Sequence, residues 1–90
     1  MDQTQMLAQL SAIMQEVLDD PNVKLTPATT ADDVEGWDSM SNITFVVEVE
    51  RRFGIKFNTA EVEEMRNVGD MLDIIAAKLA ARANASSGQV

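Results

Sequence analysis

The chain has 90 residues, a formal net charge of −8 from fifteen acidic and seven basic side chains, and neither cysteine nor histidine. Without those two residue types, thiolate nucleophiles, Ser-His-Asp triads, disulfide staples and the usual zinc ligand sets are excluded. The length suits one small domain with a single apolar core, and so acidic a surface repels nucleic acid and anionic lipid while favouring partners that present Lys and Arg.

From the start of the chain, Met6, Leu7, Leu10, Ile13, Met14, Val17 and Leu18 recur at steps of three and four. That spacing predicts a first helix over residues 4–18 with one apolar face. Asp2 or Thr4 can cap its start, and Asp19-Asp20-Pro21 stops it, because the residue before a proline is driven out of the helical region. A long connection rich in Thr, Asp and Pro follows up to Trp37, anchored by Val23, Leu25, Val34 and Trp37. Connections of this length in small domains are often functional. Calcium binding by Asp32, Asp33 and Glu35 ahead of Gly36 fails on spacing: the EF-hand register puts Ala31 at the first ligand position and Asn42 where the bidentate glutamate belongs. No metal site is expected.

The polar loop ends at Gly36-Trp37-Asp38-Ser39-Met40-Ser41, where the most apolar run of the sequence begins. Asp38 is placed to accept from the first free backbone N–H groups of a second helix, with Ser39 in its first turn. Phe45, Val46, Val49 and Phe53 share a face expected to be buried. Met40, Thr44, Val47, Glu48 and Arg51 follow the opposite line, where Met40 and Val47 put apolar side chains on a charged surface, a pattern of partner binding. The alternative for Val47 is a simple boundary position. Gly54 ends the helix as a left-handed cap.

Ile55-Lys56-Phe57 reads as an extended plug rather than a strand, since nothing is available to pair with it. A short third helix starts at cap Asn58 with Glu61 three residues on and turns Val62 and Met65 inward. Asn67 and Asp70 repeat that spacing for a fourth helix with core face Val68, Met71, Leu72, Ile75 and Leu79. Residues 83–90 are small and polar without periodicity and are expected to form a disordered tail behind a single domain over 1–82. The expectation is an all-α four-helix bundle with a short third helix and a long first loop.

Across Thr26 to Ile75 the sequence resembles an acyl carrier protein of the stand-alone type. Asp38-Ser39-Met40 is similar to the Asp-Ser-Leu signature of that family, and Glu50-Arg51-Arg52-Phe53-Gly54-Ile55 and Val68-Gly69-Asp70 carry the likeness downstream. The resemblance implies that Ser39 receives a 4′-phosphopantetheine from coenzyme A, flanked by Asp38 as helix cap, and that the thiol of that arm holds acyl groups as thioesters. A helix N-terminus offers unpaired N–H groups and the positive end of the macrodipole to a phosphodiester. The missing cysteine is consistent, because such a cofactor supplies the thiol. The protein is then a carrier and not an enzyme. Its implied partners are a phosphopantetheinyl transferase and acyl-transferring or acyl-activating enzymes with basic docking surfaces, met through Met40, Thr44, Val47, Glu48 and Arg51.

Two departures bear on the pathway. Ser41, Thr44 and Arg51 stand where fatty-acid carriers commonly place acids, leaving Glu48 and Glu50 on this helix. Trp37 and Met40 resemble carriers of specialised pathways, and Asp-Ser-Met also occurs in D-alanyl carriers. The reading is a carrier for a fatty-acid-like, polyketide or modified-acyl pathway. An aminoacyl, D-alanyl or peptidyl carrier shares its chemistry, and an unmodified helical adaptor that binds a basic partner is the alternative of another class. No apolar run reaches membrane-spanning length and the N-terminus lacks the regions of a signal peptide, so a cytoplasmic monomer without membrane partners is expected.

Overall fold

The computed structural model describes the backbone of residues 2–88 and the side chains of residues 2–82. Four α-helices follow one another, α1 (Gln3–Leu18), α2 (Ser39–Phe53), α3 (Thr59–Glu64) and α4 (Val68–Gly88), and among the described residues there is no strand. A 3-10 turn, Ala31–Asp33, lies in the long α1–α2 connection. α1 packs against α2 and α4. The expected four-helix architecture is therefore the one observed.

Local chemistry explains the helix boundaries. Asp2 caps α1 in a reciprocal box with Gln5, each amide donating to the other's side chain. Asp19 ends the helix in the left-handed conformation (φ 52°), and the Asp20 amide donates back to the Gln15 carbonyl. Asn58 and Glu61 close the same kind of box at α3. At the end of α2, Gly54 adopts φ 68°, and the Arg82 guanidinium donates to the Phe53 and Gly54 carbonyls, so a side chain of α4 satisfies orphan acceptors of α2.

The core runs through all the long elements: Leu10, Ile13 and Met14 of α1, Phe45 and Val49 of α2, and Leu72 and Ile75 of α4 are completely or almost completely buried. Ile55 is buried and Phe57 packs partly against the core, as a plug between α2 and α3. Val46 differs from expectation. It is half-buried, because it borders a cavity described below instead of the close-packed centre.

The long connection is pinned at both ends. Gln15 Nε2 donates to the Val23 carbonyl (2.8 Å) and the Leu25 amide to Ser11 Oγ (3.0 Å), which fastens it to α1. Further along, the Thr29 and Pro27 carbonyls accept from the Val68 and Gly69 amides (2.9 and 2.8 Å), which gives the first N–H groups of α4 partners that no α4 side chain supplies. Asn67 Oδ1 takes the next, from Asp70.

The disordered tail expected from residue 83 is corrected as far as residue 88, where the α4 backbone stays helical. Ala83 and Ala85 are among the strongest helix formers, and no proline or glycine interrupts the run before Gly88, so the helix propagates without an apolar stripe. The last two positions of that expected tail lie outside the described residues.

Candidate functional site

The Gly36–Ser41 junction is built from hydrogen bonds within six residues. Gly36 takes φ 90°, a conformation that favours glycine, and its carbonyl accepts from Ser41 Oγ at 2.7 Å. Asp38 is the N-cap of α2: its Oδ1 accepts from the Met40 and Ser41 amides (3.0 and 2.9 Å), and its own amide donates to Ser41 Oγ (2.8 Å). Chiefly the Ser41 amide, then the Ser41 hydroxyl and the Met40 amide, hold the Asp38 carboxyl below the usual aspartate range. It is a carboxylate at neutral pH.

Ser39 stands between these two committed residues and is itself uncommitted. It is exposed, and its hydroxyl makes no hydrogen bond among the described residues. The expectation that a phosphodiester here finds several unpaired N–H groups needs correction. Asp38 already takes those of Met40 and Ser41, so the macrodipole, not a row of free donors, is what the helix end offers an anion.

Trp37 sets the direction of the junction. Its ring meets Phe45 edge-on at 5.5 Å, and its Nε1 donates to Asn42 Oδ1 at 3.0 Å. Next to it opens a cavity of about 300 Å³ between the start of α2 and the α3 segment. Val46, Val62, Met65, Val68 and Met71 line it with apolar surface. Asp38, Ser39, Asn42, Arg66 and Asn67 also belong to its wall, and the exposed ones among them, Asp38, Ser39 and Arg66, place the rim beside Ser39.

On the outer side of α2, Met40, Ile43 and Val47 are the large apolar side chains left exposed, at 79, 65 and 51%. Met40 and Val47 were expected there; Ile43 was not assigned, though its place three residues after Met40 and four before Val47 is a helical-face signal. Thr44 is exposed and bonds back to the Met40 carbonyl at 3.4 Å. Glu48 and Arg51 were expected on the same line and are found paired with each other at 2.9 Å, Glu48 half-buried and also 3.6 Å from Arg52. Arg52 pairs in addition with Glu16 of α1. Glu50 accepts from the Phe57 amide at 2.7 Å. Both acids of α2 are thus occupied by the chain's own donors.

No helix among the described residues is long and apolar enough to cross a membrane, and no group of three acidic side chains there is placed to hold a metal ion. A helical bundle that offers an unengaged serine at a helix start, beside an apolar cavity and in a chain without histidine or cysteine, fits a presentation module, one that displays a group for other proteins to act on. The comparisons with known proteins make this specific. Residues 8–75 match the family described as phosphopantetheine attachment site. The acyl carrier protein of Thermosynechococcus vestitus is 32% identical over 82 residues, covering 90% of this chain and all of that one. That of Acidothermus cellulolyticus is 33% identical over 72 residues, 80% of this chain and 86% of its own. In solved structures, the solution structure of holo acyl carrier protein from Geobacter metallireducens superposes with a TM-score of 0.81 at 37% identity, covering 87% of this chain and 90% of that one. The chain belongs to the acyl carrier protein family; it is a carrier, not an enzyme, and its cofactor is a covalently attached 4′-phosphopantetheine. Members of the family interact with acyl-handling enzymes and with a phosphopantetheinyl transferase.

Proposed function

We propose that Ser39 is the attachment point, and that the chain shuttles acyl intermediates between enzymes of a polyketide-like or other specialised acyl pathway. One observation carries the assignment: of the two serines around Met40, Ser41 is spent on the helix cap and Ser39 is exposed with a free hydroxyl. In the loading step, Ser39 Oγ attacks the phosphorus of coenzyme A that bears the pantetheine. The Oγ–P bond forms, the P–O bond to 3′,5′-ADP breaks, and the serine proton goes to a base of the transferase. When bound, the arm supplies a terminal thiol that carries acyl groups as thioesters. The chain's own residues hold the serine forward on the α2 cap and keep the apolar cavity beside it.

The specialised pathway is supported by the surface of α2. Its two acids are engaged by Arg51, Arg52 and the Phe57 amide, so a partner meets an apolar stripe of Met40, Ile43 and Val47 more than a row of free carboxylates. Such a stripe suits brief docking through a small apolar centre. The test of Ser39 is intact-mass measurement after incubation with coenzyme A and a broad-specificity phosphopantetheinyl transferase. Wild-type protein is expected to gain one phosphopantetheinyl group and Ser39→Ala none; a gain retained by Ser39→Ala would overturn the assignment.

A further inference from the structure

We infer that the cavity beside Ser39 selects acyl cargo that carries hydrogen-bond-accepting oxygens along its chain, and that the side-chain NH₂ groups of Asn42 and Asn67 make the selection. This rests on Ser39 being the attachment point. The orientation of each amide follows from its partner. An indole N–H and a backbone N–H can only donate, so the atoms that face Trp37 Nε1 and the Asp70 amide are the amide oxygens, at 3.0 and 2.8 Å. Each asparagine therefore keeps its two N–H donors, and these have no partner among the described residues.

A third group of the wall leans the same way. The Arg66 guanidinium offers only donors and forms no ion pair among the described residues. The carboxylate in the wall, Asp38, has Oδ1 occupied by the Met40 and Ser41 amides and the Ser41 hydroxyl, and only its Oδ2 remains as an acceptor, on an exposed residue of the rim. The volume of about 300 Å³ lies at the small end of ligand pockets, enough for a short chain. A saturated chain lying there strips water from the amide donors and returns nothing, which carries a desolvation cost. A chain with ketone oxygens returns an acceptor to them. The apolar floor fits the carbon skeleton in either case, so discrimination falls to the two asparagines.

The experiment loads the whole chain from octanoyl- or 3-oxooctanoyl-coenzyme A with a phosphopantetheinyl transferase, checked by intact mass. Thioester cleavage by hydroxylamine is then timed, each rate divided by that of the same acyl-pantetheine free in solution. Protection of the 3-oxo chain is expected to exceed that of octanoyl by about threefold or more, the scale of one hydrogen bond. In wild-type protein the 3-oxo chain should also move the side-chain NH₂ resonances of Asn42 and Asn67, and octanoyl should not. Asn42→Asp keeps an acceptor for Trp37 and Asn67→Asp keeps the α4 cap, while each loses its donors; both should close the gap in protection. Equal protection of the two chains, amide shifts common to both, or an undiminished gap in both variants overturns the inference and leaves the carrier reading intact. No mass gain in wild-type protein would overturn both together.

Discussion

The Asp38 amide donates to Ser41 Oγ at 2.8 Å, and the Ser41 amide returns a hydrogen bond to Asp38 Oδ1 at 2.9 Å. This reciprocal cap gives the two serines separable roles. Ser41→Ala removes an acceptor at the helix start, together with the donor to the Gly36 carbonyl, and should lower stability by about 0.5–2 kcal/mol. It should still gain the phosphopantetheinyl group. Ser39→Ala should lose the modification with its unfolding midpoint near wild type. Urea unfolding and intact mass on the same two variants check the assignment; the opposite pairing of effects would exchange the roles.

The acid limb of the stability curve should report the caps. The carboxyls of Asp38 and Glu61 are both held below their usual ranges, the first mainly by the Ser41 amide and the second mainly by the Asn58 amide and then Lys78. Depressed carboxyls bind protons more weakly folded than unfolded, so their contribution is full above the unfolded-state value near pH 4 and is lost as pH falls below it. Thermal midpoints should therefore drop on acidification below about pH 4, and less steeply in Asp38→Asn, which keeps a capping oxygen but does not titrate. An identical acid slope in Asp38→Asn would remove Asp38 as a cause.

Helix propensity alone says that Gly69→Ala should stabilise α4 by up to about 1 kcal/mol. The tertiary contact says the reverse: a Cβ at Gly69 would lie 2.9 Å from the Pro27 carbonyl oxygen, a backbone atom that itself accepts from the Gly69 amide. Relieving the clash breaks that bond or shifts the loop, at a cost on the order of 1–3 kcal/mol. Gly69→Ala is expected to be destabilised in denaturant titrations. A rise in stability would mean that the loop yields freely.

On the outer face of α2, Val47→Asp should leave the bundle folded, since Val47 is 51% exposed while Phe45, Val49 and Phe53 hold the core. It should slow transfer by partner enzymes roughly tenfold, and Ile43→Asp should do the same. Circular dichroism checks the fold and transferase titration the rate. Wild-type rates for both variants with every partner tried would exclude this face from docking.

Much of the molecule is legible one residue at a time because its deciding interactions span three or four residues. The caps at Asp38 and Asn58, the glycine stop at Gly54, and the buried faces of α1 and α4 follow from helix periodicity and local hydrogen bonds. The unassigned Ile43 shows the limit of that reasoning. Its sequence spacing fits the exposed stripe, but apolar character alone does not say on which side of a boundary a residue falls until the neighbouring helices are in place. The helical backbone of residues 83–88 is the converse case, where alanine propensity outlasts the amphipathic pattern used to find helix ends.

By itself, the sequence determined the helical periodicities, the absence of any imidazole or thiol, and a serine at the opening of an apolar helix. All of these depend on residue type and on neighbours within a turn. Only the tertiary structure decided which serine is free, that the acids of α2 are already engaged, that Gly69 has no room for a Cβ, and that Asn42 and Asn67 line one cavity with their oxygens held by Trp37 Nε1 and the Asp70 amide. Two of those relations, Pro27 with Gly69 and Asn42 with Asn67, join residues far apart in the chain, and they exist only once the loop and helices have packed. No periodicity encodes them, because the contact depends on three-dimensional approach and not on spacing along the chain.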